Sequence, residues 1–222
     1  MTEMLLAFLL TLLLAGLGII VHGLWRIATP TRGPRINRAG RPGRALLLID
    51  LQEDFTQPAN LRFAWPEDRR EAVFAAIRDL AADATARNLP VLTIRQVTEG
   101  FSSRLVMLLL AGGAGSPGRP GLRLDSRLGV TATADFTKPA GDAFSNPALA
   151  DWLDRHHIGE LLVAGLDGVA CVHRTIRGAR RRGYAVTVLT DAVLTAYPEK
   201  WGRLVKAYPH EGIAVHAGAR LP

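Results

Sequence analysis

The chain opens with a long apolar run whose pattern differs from everything that follows it. Residues 4–25 contain no Asp, Glu, Lys or Arg, and apolar side chains would cover every side of a helix there. Such a helix would be about 33 Å long, against roughly 30 Å for the hydrocarbon core of a bilayer. Trp25 ends the run, where an amphipathic ring favours the lipid headgroups. The pattern predicts a transmembrane helix over residues 4–25, after a short extracytoplasmic N-terminus of residues 1–3.

A cleaved signal peptide is the alternative interpretation of this run. Signal peptides begin with a positive charge, have a shorter apolar core and end at a small-x-small cleavage site. The chain begins Met1-Thr2-Glu3, without Lys or Arg, and no convincing cleavage site follows the apolar run. These features favour an uncleaved anchor.

From residue 45 onward, short apolar runs alternate with segments whose apolar residues recur at helical spacing. The run ALLLID at 45–50 is typical of a strand buried on both faces of a sheet. Predicted strands are 45–50, 90–95, 130–136, 160–165, 184–190 and 212–216, and predicted helices are 69–88, 104–111, 146–157, 172–182 and 198–207. This alternation predicts one domain over residues 45–222, a three-layer α/β/α fold with a mostly parallel, Rossmann-like sheet of about six strands.

The stretch from 100 to 129 is the irregular part of this domain. Its tract GGAGSPGRPG predicts a loop, because Gly and Pro interrupt helices and strands. The tract matches a phosphate-binding loop poorly, since no Lys-Ser or Lys-Thr pair follows it and no clear strand precedes it. We therefore expect no nucleotide site there.

The composition adds a net charge of +7 and a pI near 10.4. Most of this charge lies in residues 26–44, which contain six arginines and no acidic residue, together with three prolines and three glycines. A flexible basic linker after a membrane span predicts a single-pass protein of the cell (inner) membrane with residues 45–222 in the cytoplasm. The arginines either set this topology alone or also bind anionic lipid. The remaining domain is nearly neutral, so we expect no nucleic-acid partner.

Three reactive side chains follow strands, at the edge where parallel sheets bind ligands. Asp50 ends the first strand, Lys138 follows the third, and Cys171 lies at the predicted start of a helix. The N–H groups of a helix start stabilise a thiolate, a carboxylate can take the thiol proton, and an ammonium supports both charged groups. Each residue alone also has a purely structural interpretation. Asp50 could cap a helix or form a turn, Lys138 could be a solvated loop residue, and Cys171 could be a small buried apolar residue. A single cysteine also excludes an intramolecular disulfide and a Cys-based structural zinc site.

The sequence around these residues resembles the isochorismatase-like cysteine hydrolase superfamily, which includes nicotinamidases, N-carbamoylsarcosine amidase-like enzymes and isochorismatases. The resemblance covers nearly all of residues 45–216 in three blocks that occur in the family's order. The blocks are LLLIDLQEDF at 46–55, FTKPAGDAFSNPAL at 136–149 and LLVAGLDGVACVHRTIRGARRRGYAVTVLTDAV at 161–193. The matching positions are Asp50, Gln52, Phe55, Lys138, Ala143, Phe144 and Cys171.

The resemblance implies a role for each residue of the trio. Asp50 corresponds to the base, Lys138 to the supporting charge and Cys171 to the nucleophile that forms a thioester. The resemblance also implies a cis peptide bond at Leu166–Asp167 and an oxyanion hole made of the backbone N–H groups of Asp167 and Cys171. Family members often have a small or apolar residue in place of Asp167, so the packing of this side chain stays open.

The chain departs from the nicotinamidases after the second strand, where those enzymes carry a metal-binding Asp-x-His…His cluster. Here the segment reads TIRQVTEGFSSRLVM and contains no His. We therefore expect no catalytic metal, no cofactor and a substrate other than nicotinamide. We assign Gln52, Phe55, Phe144, Arg95 and Gln96 to the substrate pocket, although solvated loop positions are an equal alternative for Arg95 and Gln96. The aromatic members, with Trp65, indicate a small and partly apolar ligand.

Three functions agree with these observations. The one that we favour is a membrane-anchored cysteine hydrolase that cleaves a small amide, ureide or carbamoyl C–N bond. An isochorismatase-type vinyl ether hydrolase is the first alternative, and the presence of Cys171 argues against it. A catalytically silent, membrane-tethered binding or scaffold subunit is the second, and it has no need of the complete Asp/Lys/Cys set. The expected partners are a small-molecule substrate and the bilayer, and a homo-oligomer stays open because the family's enzymes often form dimers or tetramers.

Overall fold

Six parallel strands form one sheet in this protein, whose computed structural model describes residues 2–57 and 65–222. The strands are β1 (Gly43–Ile49), β2 (Val91–Gln96), β3 (Ala134–Lys138), β4 (Ile158–Leu166), β5 (Ala185–Leu194) and β6 (Ala214–His216). Their order across the sheet is β3-β2-β1-β4-β5-β6, and every neighbouring pair is parallel. The strand number, the parallel pairing and the helices described next confirm the predicted α/β fold class.

Helices cover both faces of this sheet. The α-helices in the described part of the chain are α1 (Thr2–Ala28), α2 (Glu53–Thr56), α3 (Glu67–Ala86), α4 (Phe101–Ala111), α5 (Pro147–Arg155), α6 (His173–Arg181) and α7 (Pro198–Ala207). Buried side chains of α3 form one hydrophobic core with the sheet, and those of α5, α6 and α7 form the other. The long helix α1 precedes the sheet and joins neither core.

The central strand β1 is apolar at every buried position, which allows it to contribute to both cores. Leu47 and Ile49 face the core of α5 and α6, whereas Leu46 and Leu48 face the core of α3, and all four are fully buried. Gly165 of β4 has a φ of 118°, and a Cβ atom there would lie 2.2 Å from the Ile49 carbonyl oxygen. A glycine is therefore required where β4 passes the end of β1.

Two predicted elements differ from the structure in a way that matters for the site. The third strand is Ala134–Lys138, later than the predicted 130–136, because Thr137 and Lys138 pair with β2 despite being polar. The predicted helix 172–182 begins earlier, as a π-helical turn over Gly168–Val172 that leads into α6. The turn carries Cys171, which lies two residues before the regular helix begins at His173.

Helix α1 is 27 residues long, which corresponds to about 40 Å. Gly23 is its one buried residue, and no part of its most apolar 18-residue window is buried. Its length and composition make it a candidate membrane span, as the sequence predicts for residues 4–25, and a signal sequence would pass the same test. Met1, part of the predicted N-terminal segment 1–3, lies outside the described residues.

The chain after α1, where the sequence predicts a flexible linker over residues 26–44, lies against the sheet domain. Thr31 donates two hydrogen bonds, from its N–H and its hydroxyl, to Asp142 Oδ2 at 2.7 and 2.6 Å. The Arg182 guanidinium donates to the carbonyl oxygens of Thr31 and Arg32 at 3.2 and 2.9 Å. The segment is irregular up to a short 3-10 turn at Arg38–Gly40, and strand β1 begins at Gly43.

Candidate active site

Asp50 follows Ile49, the last residue of β1, at the carboxyl end of this central strand. Its N–H donates to the Ile94 carbonyl oxygen of β2 at 2.8 Å, which continues the sheet ladder by one residue. Its φ is 55°, in the left-handed region that few residues other than glycine adopt. This conformation turns the chain sharply out of the strand, and its side chain is 2% exposed. Strained backbone of this kind is concentrated at functional sites.

Lys138 ends β3 and is completely buried, which is unusual for a lysine. Its ammonium group lies 3.0 Å from Asp50 Oδ2. It also donates hydrogen bonds to Gln96 Oε1 and, at 3.1 Å, to the Ala140 carbonyl oxygen. Three acceptors therefore satisfy the three donors of the ammonium, and one of them is the Asp50 carboxylate.

A pair of glutamines holds this lysine in place. Gln52 lies just past Asp50, and its amide accepts from the Gln96 N–H and donates to the Gln96 carbonyl oxygen at 3.1 Å. The Gln96 side chain then accepts from Lys138 and donates to Thr98 Oγ1 at 3.1 Å. Gln52 and Gln96, predicted as pocket residues, thus form a buried scaffold that fixes the position of the ion pair.

Cys171 lies in the π-helical turn between β4 and α6, where its side chain interacts with the Asp50 carboxyl group. The sequence suggests a stabilised thiolate at a helix start, but burial raises the pKa of the Cys171 thiol to about 12. The Asp50 carboxylate raises it further, while Lys138 and Arg174 lower it. Burial therefore opposes the thiolate that the sequence predicts at this position.

Burial and the mutual attraction of Asp50 and Lys138 act in opposite directions on the pKa of each group. Burial raises the pKa of Asp50 above its usual value, and the Lys138 ammonium and the Cys171 thiol act in the opposite direction. For Lys138, burial alone would lower the pKa, but the Asp50 carboxylate and Cys171 together raise it. The Asp50 carboxyl group thus has a raised pKa, the property that a general base for a thiol needs.

Asp167 precedes the π-helical turn and holds it in shape. Its Oδ1 accepts from the Val169 N–H at 2.8 Å and from the Thr195 hydroxyl at 2.9 Å, and its Oδ2 accepts from the Ala196 N–H at 2.9 Å. The packing that the sequence left open is therefore a capping role that ties the turn to the chain after β5. The Leu166–Asp167 peptide bond, at the position where the resemblance implies a cis bond, is cis.

The remaining predicted pocket residues have different surroundings. Arg95 pairs with Asp135 on the neighbouring strand, with Nε and Oδ1 2.9 Å apart, and it lies on the opposite face of β2 from Gln96. This engagement argues against a substrate contact by Arg95. Phe55 is buried, and its carbonyl oxygen accepts from Trp65 Nε1 at 2.7 Å.

Phe144 borders a cavity and packs against two other side chains. It packs between the Tyr184 ring and the Arg182 guanidinium. It also lines a cavity of about 930 Å³ between residues 25–34 and residues 139–151, whose wall includes Ala140, the carbonyl partner of Lys138. This cavity therefore borders the loop that follows Lys138.

The described residues contain no group of three or more His, Cys, Asp or Glu side chains that could hold a metal ion. Gln96 ends β2 and Thr98 lies two residues later; the Gln96 side chain binds both Thr98 and Lys138.

Comparisons with known proteins agree with this geometry. The family profile described as "Isochorismatase domain" matches residues 44–216. The nicotinamidase of Escherichia coli (strain K12) is 29% identical over 178 residues, which cover 68% of this chain and 82% of that protein. A cysteine hydrolase from Pseudomonas syringae pv. phaseolicola 1448A superposes with a TM-score of 0.69 at 19% identity, over 86% of this chain and 94% of that one. N-carbamoylsarcosine amidase from Thermoplasma acidophilum does so at 0.66 and 20% identity, over 79% and 96%.

Proposed function

We propose, from the premise that this chain belongs to the isochorismatase family of hydrolases, that it cleaves a small amide, ureide or carbamoyl C–N bond through a thioester on Cys171. One observation carries the proposal: the buried Asp50 carboxylate binds the Lys138 ammonium and also faces the Cys171 thiol. Two of the similar proteins are named for amide substrates, a nicotinamidase and an N-carbamoylsarcosine amidase. The chemistry below concerns this chain's own residues.

The first half of the reaction forms the thioester. Asp50 accepts the Cys171 proton as the sulfur attacks the carbonyl carbon, because a thiol with a pKa near 12 does not ionise unaided at neutral pH. The tetrahedral intermediate then collapses, the C–N bond breaks, and Asp50 returns the proton to the departing nitrogen. Ammonia or an amine leaves, and the acyl group remains on Cys171.

The second half of the reaction releases the acid. A water molecule enters where the amine left, Asp50 takes one of its protons, and the resulting hydroxide attacks the thioester carbon. The C–S bond breaks and the thiol regains its proton from Asp50, which restores the starting state. Each proton that Asp50 accepts is returned in the same half-reaction.

The oxyanion of both intermediates needs two hydrogen-bond donors. We assign this role to the backbone N–H groups of Asp167 and Cys171, as the family resemblance implies. The Asp167 side chain and carbonyl oxygen bind the N–H groups of Val169, Ala170 and Val172. The two proposed donors take no part in these bonds, and the turn that carries them is fixed by the others.

A panel of amides, ureides and carbamoyl compounds, scored for ammonia release, tests this function. We expect at least one small member to be hydrolysed by the full-length protein, and nicotinamide to be a poor substrate. The matched control is Cys171→Ala, which should release no ammonia above background. Cleavage of a vinyl ether by a protein inert toward every amide would instead favour the isochorismatase-type reaction.

We also propose that α1 is an uncleaved membrane anchor with the hydrolase domain on the cytoplasmic side. Its large apolar side chains are exposed, for example Leu13 and Leu14, and only a bilayer would remove so much apolar surface from water. The arginines of residues 26–44 support the cytoplasmic orientation through the positive-inside rule.

Fractionation of cells that express the full chain tests the anchor. We expect the protein to sediment with membranes and to stay there after an alkaline carbonate wash, because a spanning helix is released only by detergent. Its intact mass should include residues 2–25. A soluble protein, or one whose mass shows that this segment has been removed, would support the signal-peptide interpretation.

A further inference from the structure

Helix α4 presents an apolar face to the outside of the hydrolase domain. Phe101 and Leu108, which lie on one side of the helix because they are seven residues apart, are 73% and 58% exposed, and we call these two residues the α4 apolar face. The opposite side of the helix is buried, where Ser103 and Val106 pack inward. Large apolar residues grouped on one helix commonly mark a contact with a partner or a membrane.

Helix α4 also packs directly against the candidate anchor α1. Gly23 is the point of closest approach, because a Cβ atom there would lie 2.3 Å from the Ser102 carbonyl oxygen and 2.8 Å from Val106 Cγ2. One residue earlier, His22 Nδ1 is hydrogen bonded to the Ser102 hydroxyl at 2.9 Å. The two helices can touch because Gly23 has no side chain. Both helices also carry exposed apolar side chains.

Positive charges border this apolar surface. Arg104 is exposed on α4, one turn before Leu108, and the Arg26 guanidinium lies beside Gly100 at the start of α4. Glu99 is the one acidic residue next to α4. An apolar face bordered by arginines matches the boundary between acyl chains and anionic lipid headgroups.

We propose that α4 is a second membrane contact, whose apolar face lies in the headgroup–acyl boundary of the bilayer that α1 spans. The inference rests on the proposed anchor and extends it to a surface of the hydrolase domain. A lone exposed helix could equally meet another protein, but this one is held against α1 at Gly23 and Ser102, where α1 nears the end of its apolar run.

The contact has a consequence for the catalytic site. The last turn of α1 reaches the rim of that site, where the Gly141 N–H donates to the Ile27 carbonyl oxygen at 3.2 Å and Arg174 Nε donates to the Ala28 carbonyl oxygen at 3.0 Å. Arg174 lies three residues after Cys171. With α1 and α4 both in the membrane, the rim is held at the bilayer surface, where amphiphilic amides are concentrated.

A nitroxide label on Leu108→Cys tests this placement in the full chain, with Cys171→Ala leaving a single thiol. The protein is reconstituted in vesicles of phosphatidylcholine and phosphatidylglycerol, and flotation with the vesicles establishes insertion. Relaxation by oxygen, which is concentrated in the acyl region, is compared with relaxation by a water-soluble nickel chelate. Phe101→Cys serves as a second reporter on the same face. Ala86→Cys, exposed at the far end of α3, is the control.

We expect the ratio of oxygen to nickel accessibility to be several-fold higher at Leu108 and Phe101 than at Ala86. A floating protein whose Leu108 label is as accessible to nickel as the Ala86 label would overturn the α4 contact and leave the anchor intact. Labels protected from both reagents would also overturn it, because they would show a protein partner such as a second copy. A protein that does not float would overturn both proposals.

Discussion

Replacing Cys171 by alanine is expected to lower kcat/KM for the amide substrate at least about 1,000-fold, since removal of a covalent nucleophile has effects of this size or larger. The substitution removes the one atom to which the acyl group can be transferred, and Asp50 is left without a proton to accept. Residual hydrolysis would come only from water activated by Asp50 in the same pocket. The measurement is steady-state ammonia release by wild type and variant at equal concentration.

The structure makes this variant a clean test, because Cys171 is half-buried and its loss leaves a space of only one sulfur atom. Circular dichroism and thermal unfolding should show a folded protein close in stability to the wild type. Cys171→Ser adds a second comparison, since it retains a nucleophile whose proton Asp50 would remove less readily. Activity of Cys171→Ala above about a thousandth of the wild-type value would contradict the thioester and favour direct attack of water.

Replacing Lys138 by methionine should have the second-largest effect, a loss of about 100- to 10,000-fold in kcat/KM, the range that acid–base groups contribute. Methionine fills a similar volume but removes the charge that offsets the burial of Asp50. The pKa of Asp50, already raised by burial, should then rise further, because the ammonium that lowers it is gone. A protonated carboxyl cannot accept the thiol proton.

The pH profile distinguishes this effect from simple loss of structure. Wild-type activity should fall as the pH drops through the raised pKa of Asp50, and in Lys138→Met this acidic limb should move to higher pH. Removing one partner of a buried ion pair also destabilises a protein by about 3–5 kcal/mol. The double variant Asp50→Asn with Lys138→Met should recover part of that stability and none of the activity.

Lys206→Met is the matched control, because Lys206 is exposed on α7 and contacts no part of the site. It should match the wild type in rate, pH profile and stability. An unshifted acidic limb in Lys138→Met, at a reduced rate, would show that Lys138 supports the fold rather than the ionisation of Asp50.

The fold was predictable because its central strands are continuous apolar runs, and a short run of this kind is typical of a strand that is buried on both faces of a parallel sheet. β1 and β4 illustrate this, because every residue of the predicted strands 45–50 and 160–165 except Asp50 lies inside the observed strands. The third strand was placed too early because its polar residues gain their position from pairing with β2, and a single sequence carries no signal for that pairing. The same holds for the π-helical turn, which depends on the Asp167 side chain and its partners after β5.

The sequence indicated which three reactive residues lie close together, but not the residues that support them. Asp50, Lys138 and Cys171 follow strands at one edge of the sheet, and the structure brings them together. The sequence placed Gln96 at a pocket edge, whereas its side chain is a buried acceptor for Lys138. The only available signal was strand alternation: Gln96 and Arg95 must point to opposite faces of β2, so one of them had to face the lysine.

The contacts of the first 44 residues with the domain lay beyond prediction from sequence. Prolines, glycines and arginines favour a flexible segment, and no pattern within them indicates that Thr31 binds Asp142. Nor does the pattern of α1 reveal that Gly23 is the contact with α4, because a glycine in an apolar helix has several uses. Such contacts depend on the complementary shapes of two segments that are far apart in the sequence.

The most direct test of the central claim is the mass of the enzyme during turnover. The full-length protein is mixed with an amide that it hydrolyses, quenched in acid within the first turnovers, digested and analysed by mass spectrometry. If the thioester forms, we expect a mass increase equal to the acyl group on the peptide that contains Cys171, together with an initial burst of ammonia. An unmodified Cys171 peptide, with no burst and with activity retained in Cys171→Ala, would contradict it.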